Sequence, residues 1–253
     1  MALFLLPLAF LGVAFLYSMA GFGGGSSYIA LLAISGVPVA SIPVLALGCN
    51  LIVSSQGAVL LYRRRHLHWR WILPLLITSV PAAYLGGSWR LSSETFITLL
   101  AVVLTLAGLA LAIPAGRTEK PNQEKARPGL LLVLGGILGG LAGLSGIGGG
   151  IFLSPALHLL RIDRAKAIAA SASVFIAINS LAGLAGQLSK GTGELSAIPA
   201  YLYVACPLAV LAGGFFGSRH LVHTLDPLKV RRITAVVVLL VAVRLWLKVA
   251  TGY

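Results

Sequence analysis

Long apolar runs separated by short polar segments fill this chain from one end to the other. The first charged side chain is Arg63, so the first 62 residues carry no charge at all. Runs of about 20 apolar residues are long enough to cross a bilayer as α-helices. They are continuous rather than alternating, which argues against a membrane β-barrel. The pattern therefore predicts an all-α polytopic membrane protein.

Two clusters of glycine interrupt these runs at matching places. Gly21-Phe22-Gly23-Gly24-Gly25 lies near the start, and Gly146-Ile147-Gly148-Gly149-Gly150 follows 125 residues later. Consecutive glycines form helix poorly and allow backbone geometries that other residues avoid. Within lipid, such a break persists only where protein or a watery cavity satisfies the freed amides. Paired breaks in two apolar halves indicate the binding site of a transporter.

The apolar runs, with the glycine, proline and charged residues that flank them, predict two repeats separated by a linker. Residues 1–115 form the first repeat, 116–129 a basic cytoplasmic linker, and 130–253 the second repeat. Each repeat comprises a glycine-broken helical hairpin and three transmembrane helices. The predicted segments are 2–20, 25–35, 41–61, 71–88 and 95–114, then 130–144, 150–160, 167–187, 198–217 and 228–249.

The positions of Lys and Arg distinguish two orientations of these repeats. If each broken helix crosses the membrane, the repeats are parallel and 11 of the 19 cations face the cytoplasm. If it enters and leaves on one side, the repeats are inverted and 15 of the 19 do. The positive-inside rule favours the inverted arrangement. Residues 2–20 would form a helix about 28 Å long, nearly a full span, so this arrangement requires a strong tilt.

Composition narrows the class of function. Hydrophobic residues make up 58% of the chain and charged residues 10%, against about 25% charged in soluble domains. The net charge of +13 comes from Lys and Arg in short loops, so we expect a lipid bilayer and no nucleic acid as partner. Cys49 and Cys206 lie in apolar runs that show no metal-ligand spacing and no nucleophile–base pair. We therefore predict no cofactor, no metal and no enzyme activity.

The helix that begins after each glycine break is the candidate binding site. A helix N-terminus offers unpaired amide donors and a partial positive charge, and so suits an anion. In the inverted arrangement the two N-termini would converge near the midplane. No Asp or Glu lies within an apolar run, which argues against a proton relay. The predicted binding residues are Gly23, Gly24, Gly25, Ser26, Ser27, Ser54, Ser55, Gln56, Ser145, Gly148, Gly149, Gly150, Asn179 and Ser180.

Some of these residue types also have a purely structural explanation. Serines in the middle of a helix, such as Ser54 and Ser180, often bond their own backbone. Glycines outside the two breaks, such as Gly139 and Gly143, are expected to allow close helix packing. If the breaks form a binding site, Gly149→Val is expected to abolish binding without unfolding the protein.

The two glycine motifs, with Phe152 and Pro155 after the second, also carry a resemblance that covers nearly the whole chain. Together with the small-residue run that begins at Gly213, they resemble the TauE/SafE sulfite exporter family. Ser26-Ser27-Tyr28 departs from the apolar residues usual after the first motif. The resemblance implies a membrane transporter of sulfur-containing anions such as sulfite, thiosulfate or organosulfonates.

We therefore predict a multi-pass secondary transporter of the bacterial inner membrane that moves a small sulfur-containing anion by alternating access. A carboxylate or organic-anion carrier and an anion channel are the alternatives. A homodimer is compatible with this architecture. The anion itself, the direction of transport and any coupling ion stay open at this point.

Overall fold

The computed structural model describes residues 3–19, 23–112, 127–160, 162–191, 198–220 and 227–251 of the chain. Every regular element within these ranges is helical. Six of the described helices are long and apolar enough to cross a membrane. The prediction of an all-α, multi-pass membrane protein is confirmed.

Ten α-helices are described, five in each half. The first half begins with a short 3-10 turn, Leu3–Leu5, and continues with α1 (Leu6–Met19), α2 (Gly25–Ile34), α3 (Ile42–Arg63), α4 (Trp69–Ser88) and α5 (Ser93–Ala112). The second half contains α6 (Pro128–Ser145), α7 (Gly150–Leu159), α8 (Ala165–Leu188), α9 (Leu202–His220) and α10 (Pro227–Ala250). The six candidate spans are α3, α4, α5, α6, α8 and α9. Every predicted segment contains a helix, whose ends differ from the prediction by at most four residues.

The predicted linker falls mostly outside the described residues. Only its last three residues, 127–129, are described, and Pro128 already begins α6. Proline is favoured in a first helical turn because its missing amide donor has no intrahelical role there. Gly21, Phe22 and Arg161 also lie outside the described residues. The division into two repeats and a linker therefore stays a prediction.

Helices of different halves pack closely where glycine replaces a side chain. α4 lies along α6, and α1 lies along α9, each pair running parallel. A Cβ on Gly143 of α6 would overlap the carbonyl oxygen of Ala83, and one on Gly213 of α9 would overlap that of Leu11. Membrane helices approach to this distance only through small residues. The expectation that glycines outside the breaks serve packing is confirmed at these positions.

α3 and α8 pack against each other in antiparallel directions. Gly57 of α3 faces Ser173 of α8. Asn50 lies two turns before Gly57 in α3, and it bonds Ser180, which lies two turns after Ser173 in α8. α5 and α10 also pack antiparallel. The two antiparallel pairs therefore each join one helix of the first half to one of the second.

Apolar side chains cover much of the outside of the bundle. Leu73 and Ile77 on α4, Val133 on α6, and Leu208 and Phe216 on α9 are all more than half exposed. A water-soluble protein rarely exposes so many large apolar side chains in contiguous patches. This surface is the one expected of helices whose outer faces contact lipid tails.

Candidate functional site

Each glycine cluster forms a turn that leads into a ten-residue helix. The first glycine turn (described residues 23–25) leads into α2, and the second glycine turn (residues 146–150) leads into α7. The N-cap residues Gly24 (φ 87°) and Gly149 (φ 76°) both have the left-handed conformation. Gly148 (φ 80°) shares it, so the second turn contains two consecutive left-handed residues. Glycine adopts this conformation without a steric penalty, which explains the need for clustered glycines.

The two glycine turns meet at the side chain of Asn50, in α3. Its Nδ2 donates to the carbonyl oxygen of Ile147 in the second turn, at 3.1 Å, and to Oγ of Ser180 in α8, also at 3.1 Å. The amide also lies directly against Gly23 and Gly148, where an added Cβ would overlap it. Asn50 is 1% exposed. A single buried side chain thus contacts both turns and α8.

The start of α2 also touches the second glycine turn directly. A Cβ on Gly25 would overlap the carbonyl oxygen of Ile147. Ile176 of α8 packs beside both turns, in contact with Gly23 and Gly148. Of the predicted binding residues, the structure therefore brings together Gly23, Gly25, Gly148, Gly150 and Ser180.

The hydroxyls at the start of α2 face α1. The hydroxyl of Tyr17 is hydrogen-bonded to Oγ of Ser27 at 2.8 Å and lies 3.5 Å from Oγ of Ser26. Ser26 and Ser27 are both buried. They lie at the N-terminus of α2, as predicted, but in this conformation they contact a tyrosine that the sequence analysis did not include.

Several of the predicted polar residues bond the backbone of their own helix. Ser54, Asn179 and Ser145, the last residue of α6, each donate to the carbonyl group four residues earlier, at 2.6, 2.8 and 2.6 Å. Oγ of Ser145 also accepts the backbone N–H of Ile147, in the second glycine turn, at 3.4 Å. The structural explanation considered for mid-helix serines therefore applies to Ser54. Ser180 differs because its Oγ accepts the amide of Asn50 from the other half. Ser55, next to Ser54, is half-buried.

Gln56 lies in a different interface. Its Nε2 donates to the carbonyl oxygen of Leu211 in α9 at 3.1 Å, and its Oε1 lies against Gly214 of α9. Successive residues are about 100° apart around an α-helix, so Gln56 and Asn50 lie on different faces of α3. The structure groups Gln56 with α9 rather than with the glycine turns.

Sequence reasoning missed Asn50, Tyr17 and Tyr28. One signal could have drawn attention to Asn50, because it and Gln56 are the only amide side chains in the first 62 residues. Tyr28 was noted only as part of a departure from the residues usual after the first motif, and nothing in the sequence singled out Tyr17. Tyr28 is fully buried, and its hydroxyl lies 3.1 Å from a Cβ built on Gly24.

Two polar atoms beside the first glycine turn have no hydrogen-bond partner among the described residues. They are Oδ1 of Asn50 and the hydroxyl of Tyr28. Oδ1 of Asn179, in α8, is also buried without a partner. Buried polar atoms are nearly always satisfied, so each exception calls for an explanation. A bound ligand is one such explanation.

Charge at this site comes from the backbone. No charged side chain occurs in residues 1–62, 146–160 or 167–189. The N-termini of α2 and α7 each carry about half a positive charge from the helix dipole. Among the described residues, no cluster of three or more His, Cys, Asp and Glu could hold a metal ion. The partial positive charges of the two helix N-termini are suited to a small anion.

Comparisons with known proteins concern almost the whole chain. Residues 5–245 match the model of a family described as sulfite exporter TauE/SafE. The chain is 32% identical over 216 residues to a "probable membrane transporter protein y4hK" of Sinorhizobium fredii (strain NBRC 101917 / NGR234), and the match covers 84% of this chain and 85% of that protein. No solved structure matches the chain significantly.

Proposed function

Because this chain belongs to the sulfite exporter TauE/SafE family of membrane transporters, we propose that it is a secondary transporter of a small sulfur-containing anion. Sulfite, thiosulfate and organosulfonates are the candidate substrates, and the anion binds between the two glycine turns. The observation that carries this proposal is the meeting of both turns at the buried side chain of Asn50.

The chemistry of the site favours an anion over a cation or a neutral solute. Two helices begin at the glycine turns, and the first amide donors of a helix have no intrahelical acceptor. These donors and the helix dipoles attract negative charge, as at many phosphate and sulfate sites. The nearby segments contain no acidic side chain that would oppose this attraction. Glycine also lets the anion approach the backbone closely.

Transport requires this site to open, because its polar side chains are closed off from solvent. Ser26, Ser27, Asn50 and Ser180 are between 0% and 3% exposed. Alternating access would expose them first on one side and then on the other, as one half rocks against the other. A permanently open anion channel fits this burial less well.

We also propose that the two halves are inverted in the membrane. α3 and α8 end 125 residues apart, the spacing of the two glycine motifs, so they occupy equivalent positions in the halves. Parallel halves would place equivalent helices in the same direction, whereas α3 and α8 run antiparallel. The antiparallel pair α5 and α10 supports the same conclusion.

Contacts between loops support inversion independently. His68, in the basic loop before α4, bonds Asp163, before α8. At the other end, Arg90 donates from its guanidinium to the carbonyl oxygen of Lys190 at 2.5 Å. Parallel halves would place the members of each pair on opposite sides of the membrane. With inversion, the loop that contains His68 faces the cytoplasm of a bacterial cell, in agreement with the positive-inside rule.

Ligand-induced stabilisation of the purified protein tests the substrate class. The panel is sulfite, thiosulfate, sulfoacetate, taurine, sulfate, phosphate and acetate. A ligand at 100 times its dissociation constant stabilises the folded state by about 2.7 kcal/mol. Stabilisation by sulfur-containing anions alone supports the proposal, whereas stabilisation by acetate alone would support the carboxylate carrier.

A pair of glycine substitutions locates the binding site. Gly25→Ala should remove the ligand-induced stabilisation and also lower the stability of the unliganded protein, because the added methyl group would force α2 away from the carbonyl of Ile147. Gly48→Ala, in α3, is the control, since no atom lies within 4 Å of the added Cβ. Gly149→Val, the substitution suggested by the sequence, is unsuited. Gly149 has a φ of 76°, and a Cβ added to it would lie 3.0 Å from the ring of Phe175. Valine at this position would therefore strain the fold itself.

Counterflow in proteoliposomes separates a carrier from a channel. Vesicles are loaded with an unlabelled anion that stabilises the protein, and the labelled anion is added outside. A carrier exchanges the two and accumulates label transiently, with a rate that saturates. A channel would show neither accumulation nor saturation, and that outcome would exclude the proposed mechanism.

A further inference from the structure

We propose that Asn50 contacts the substrate and selects anions that carry a hydrogen-bond donor. Such a donor is a hydroxyl group or the proton of a monoprotonated oxyanion. This inference rests on the proposed function and narrows its substrate class. The observation behind it is the unpartnered Oδ1 of Asn50, which lies against Gly23, just before α2.

The hydrogen bonds of Asn50 determine which way its amide faces. Nδ2 donates to the carbonyl oxygen of Ile147, which can only accept. The reversed amide would place two oxygen lone pairs against each other and lose this bond. Oδ1 is therefore the atom that lies against Gly23, on the side where α2 begins.

This oxygen can accept a hydrogen bond from a donor on a bound ligand. It is buried, and no donor among the described residues reaches it. Gly23 matters here because any side chain at that position would overlap Oδ1 and cover it. The hydroxyl of Tyr28, next to Gly24, is also unpartnered and could donate to an anion. The site thus combines donors for the anionic oxygens with one acceptor for a ligand proton.

A water molecule or a cation such as Na⁺ could also approach Oδ1. The positive end of the α2 dipole lies beside it, which disfavours a cation. No acidic side chain occurs in the neighbouring segments to compensate such a charge. An anion with its own donor satisfies both features at once: its negative end faces the helix N-terminus and its proton faces Oδ1.

The two halves differ at this position, so the donor would be recognised by one half alone. At the 125-residue spacing, the counterpart of Asn50 is Phe175, which is fully buried and faces Gly149. A site with an amide on one side and a phenyl ring on the other suits an unsymmetrical anion. The sulfonates that carry a hydroxyl at the opposite end are of this kind.

Two matched ligands test the inference on the unmodified protein. Isethionate and ethanesulfonate share charge, length and sulfonate group, and differ by one hydroxyl. A buried acceptor left without its donor weakens binding, so isethionate should bind about tenfold more tightly than ethanesulfonate. The measurement is isothermal titration calorimetry in detergent.

A variant and its control assign the preference to Asn50. Asn50→Leu should bind isethionate and ethanesulfonate equally. The control is Ser79→Ala, which should keep the preference. Like Asn50, Ser79 is buried and has an unpartnered polar atom, its hydroxyl. It lies instead where α4 packs against Gly139 of α6.

Each contrary result has a distinct meaning. Equal binding of the two sulfonates to the unmodified protein would overturn the inference but leave the proposed function intact, even if Asn50→Leu does not fold. A preference that survives in Asn50→Leu would also overturn it. Stabilisation by NaCl but not by KCl, lost in Asn50→Leu, would assign Oδ1 to a cation instead. If no sulfonate and no other sulfur-containing anion binds, the proposed function itself fails.

Discussion

Nδ1 of His68 lies 2.5 Å from Oδ2 of Asp163, so the loop between α3 and α4 is joined to the segment between α7 and α8. These residues belong to different halves of the chain. Their contact requires both segments to lie at the same end of the bundle. The positions of the charges in the sequence favoured this arrangement, and the contact gives it a specific, testable form.

The first prediction concerns the side of the membrane on which each loop lies. Arg64→Cys and Arg164→Cys should react with a membrane-impermeant thiol reagent from the cytoplasmic side, because the His68–Asp163 contact places their loops together. Arg90→Cys should react from the opposite side. All three arginines are exposed. The measurement is labelling of intact cells compared with inside-out vesicles.

The unmodified protein is the control for this experiment. Its two cysteines, Cys49 and Cys206, are both buried and should not react. Labelling of Arg164→Cys together with Arg90→Cys from outside the cell would indicate parallel halves and contradict the proposal.

The second prediction concerns the energetic weight of this contact. The side chain of His68 is 53% exposed, so its coupling with Asp163 should be below about 1 kcal/mol. Asp163→Ala should cost more than His68→Ala, because Oδ1 of the carboxylate also accepts the backbone N–H of Arg164 at 2.7 Å. A double-mutant cycle of unfolding in mixed micelles measures both quantities. Equal costs for the two single variants would contradict this reasoning.

The third prediction compares the stability effects of substitutions at two glycines of α6, Gly143 and Gly140. Gly143→Ala should destabilise the protein by about 1–3 kcal/mol, because the new methyl group would overlap the backbone of Ala83. At Gly140 no atom lies within 4 Å of an added Cβ. Alanine also favours helix over glycine by up to about 1 kcal/mol. The same unfolding measurement should therefore find Gly140→Ala neutral or stabilising. Equal destabilisation by both would show that α6 and α4 pack differently.

The fourth prediction concerns Gly23, which leaves Oδ1 of Asn50 uncovered. Gly23 has no left-handed φ, and an added Cβ would meet a side chain, that of Asn50, rather than backbone. Gly23→Ala should therefore fold but displace the amide, so that isethionate loses its advantage over ethanesulfonate. Gly48→Ala serves as control and should keep the full preference. A tenfold preference retained in Gly23→Ala would mean that the donor binds elsewhere.

The helices and the glycine turns could be predicted because their causes are local. Hydrophobicity over about 20 residues, glycine clusters and flanking charges lie within each segment, and they led to α2 and α7 almost residue by residue. The start of α9 was less clear, and it was predicted four residues early. Nothing in an apolar run marks where a helix begins when no cap or charge is present.

The composition of the site could be predicted only in part, because it depends on which helix faces meet. Gln56 and Asn50 are six residues apart, and the sequence offered no reason to prefer one face of α3 over the other. In the structure, Asn50 bonds the carbonyl oxygen of Ile147 in the second glycine turn, and Gln56 bonds that of Leu211 in α9. Ser54 donates within its own helix, whereas Ser145 donates within α6 and also accepts the backbone N–H of Ile147 in the second turn.

The sequence by itself determined the class of this protein, its helices and the two turns, since these follow from local apolar periodicity and from the backbone freedom of glycine. Only the tertiary structure decided that Asn50 joins the turns. Its partners Ile147 and Ser180 are 97 and 130 residues away along the chain. A hydrogen bond across that separation depends on the packing of α3 against α8, and no local pattern of residues encodes it.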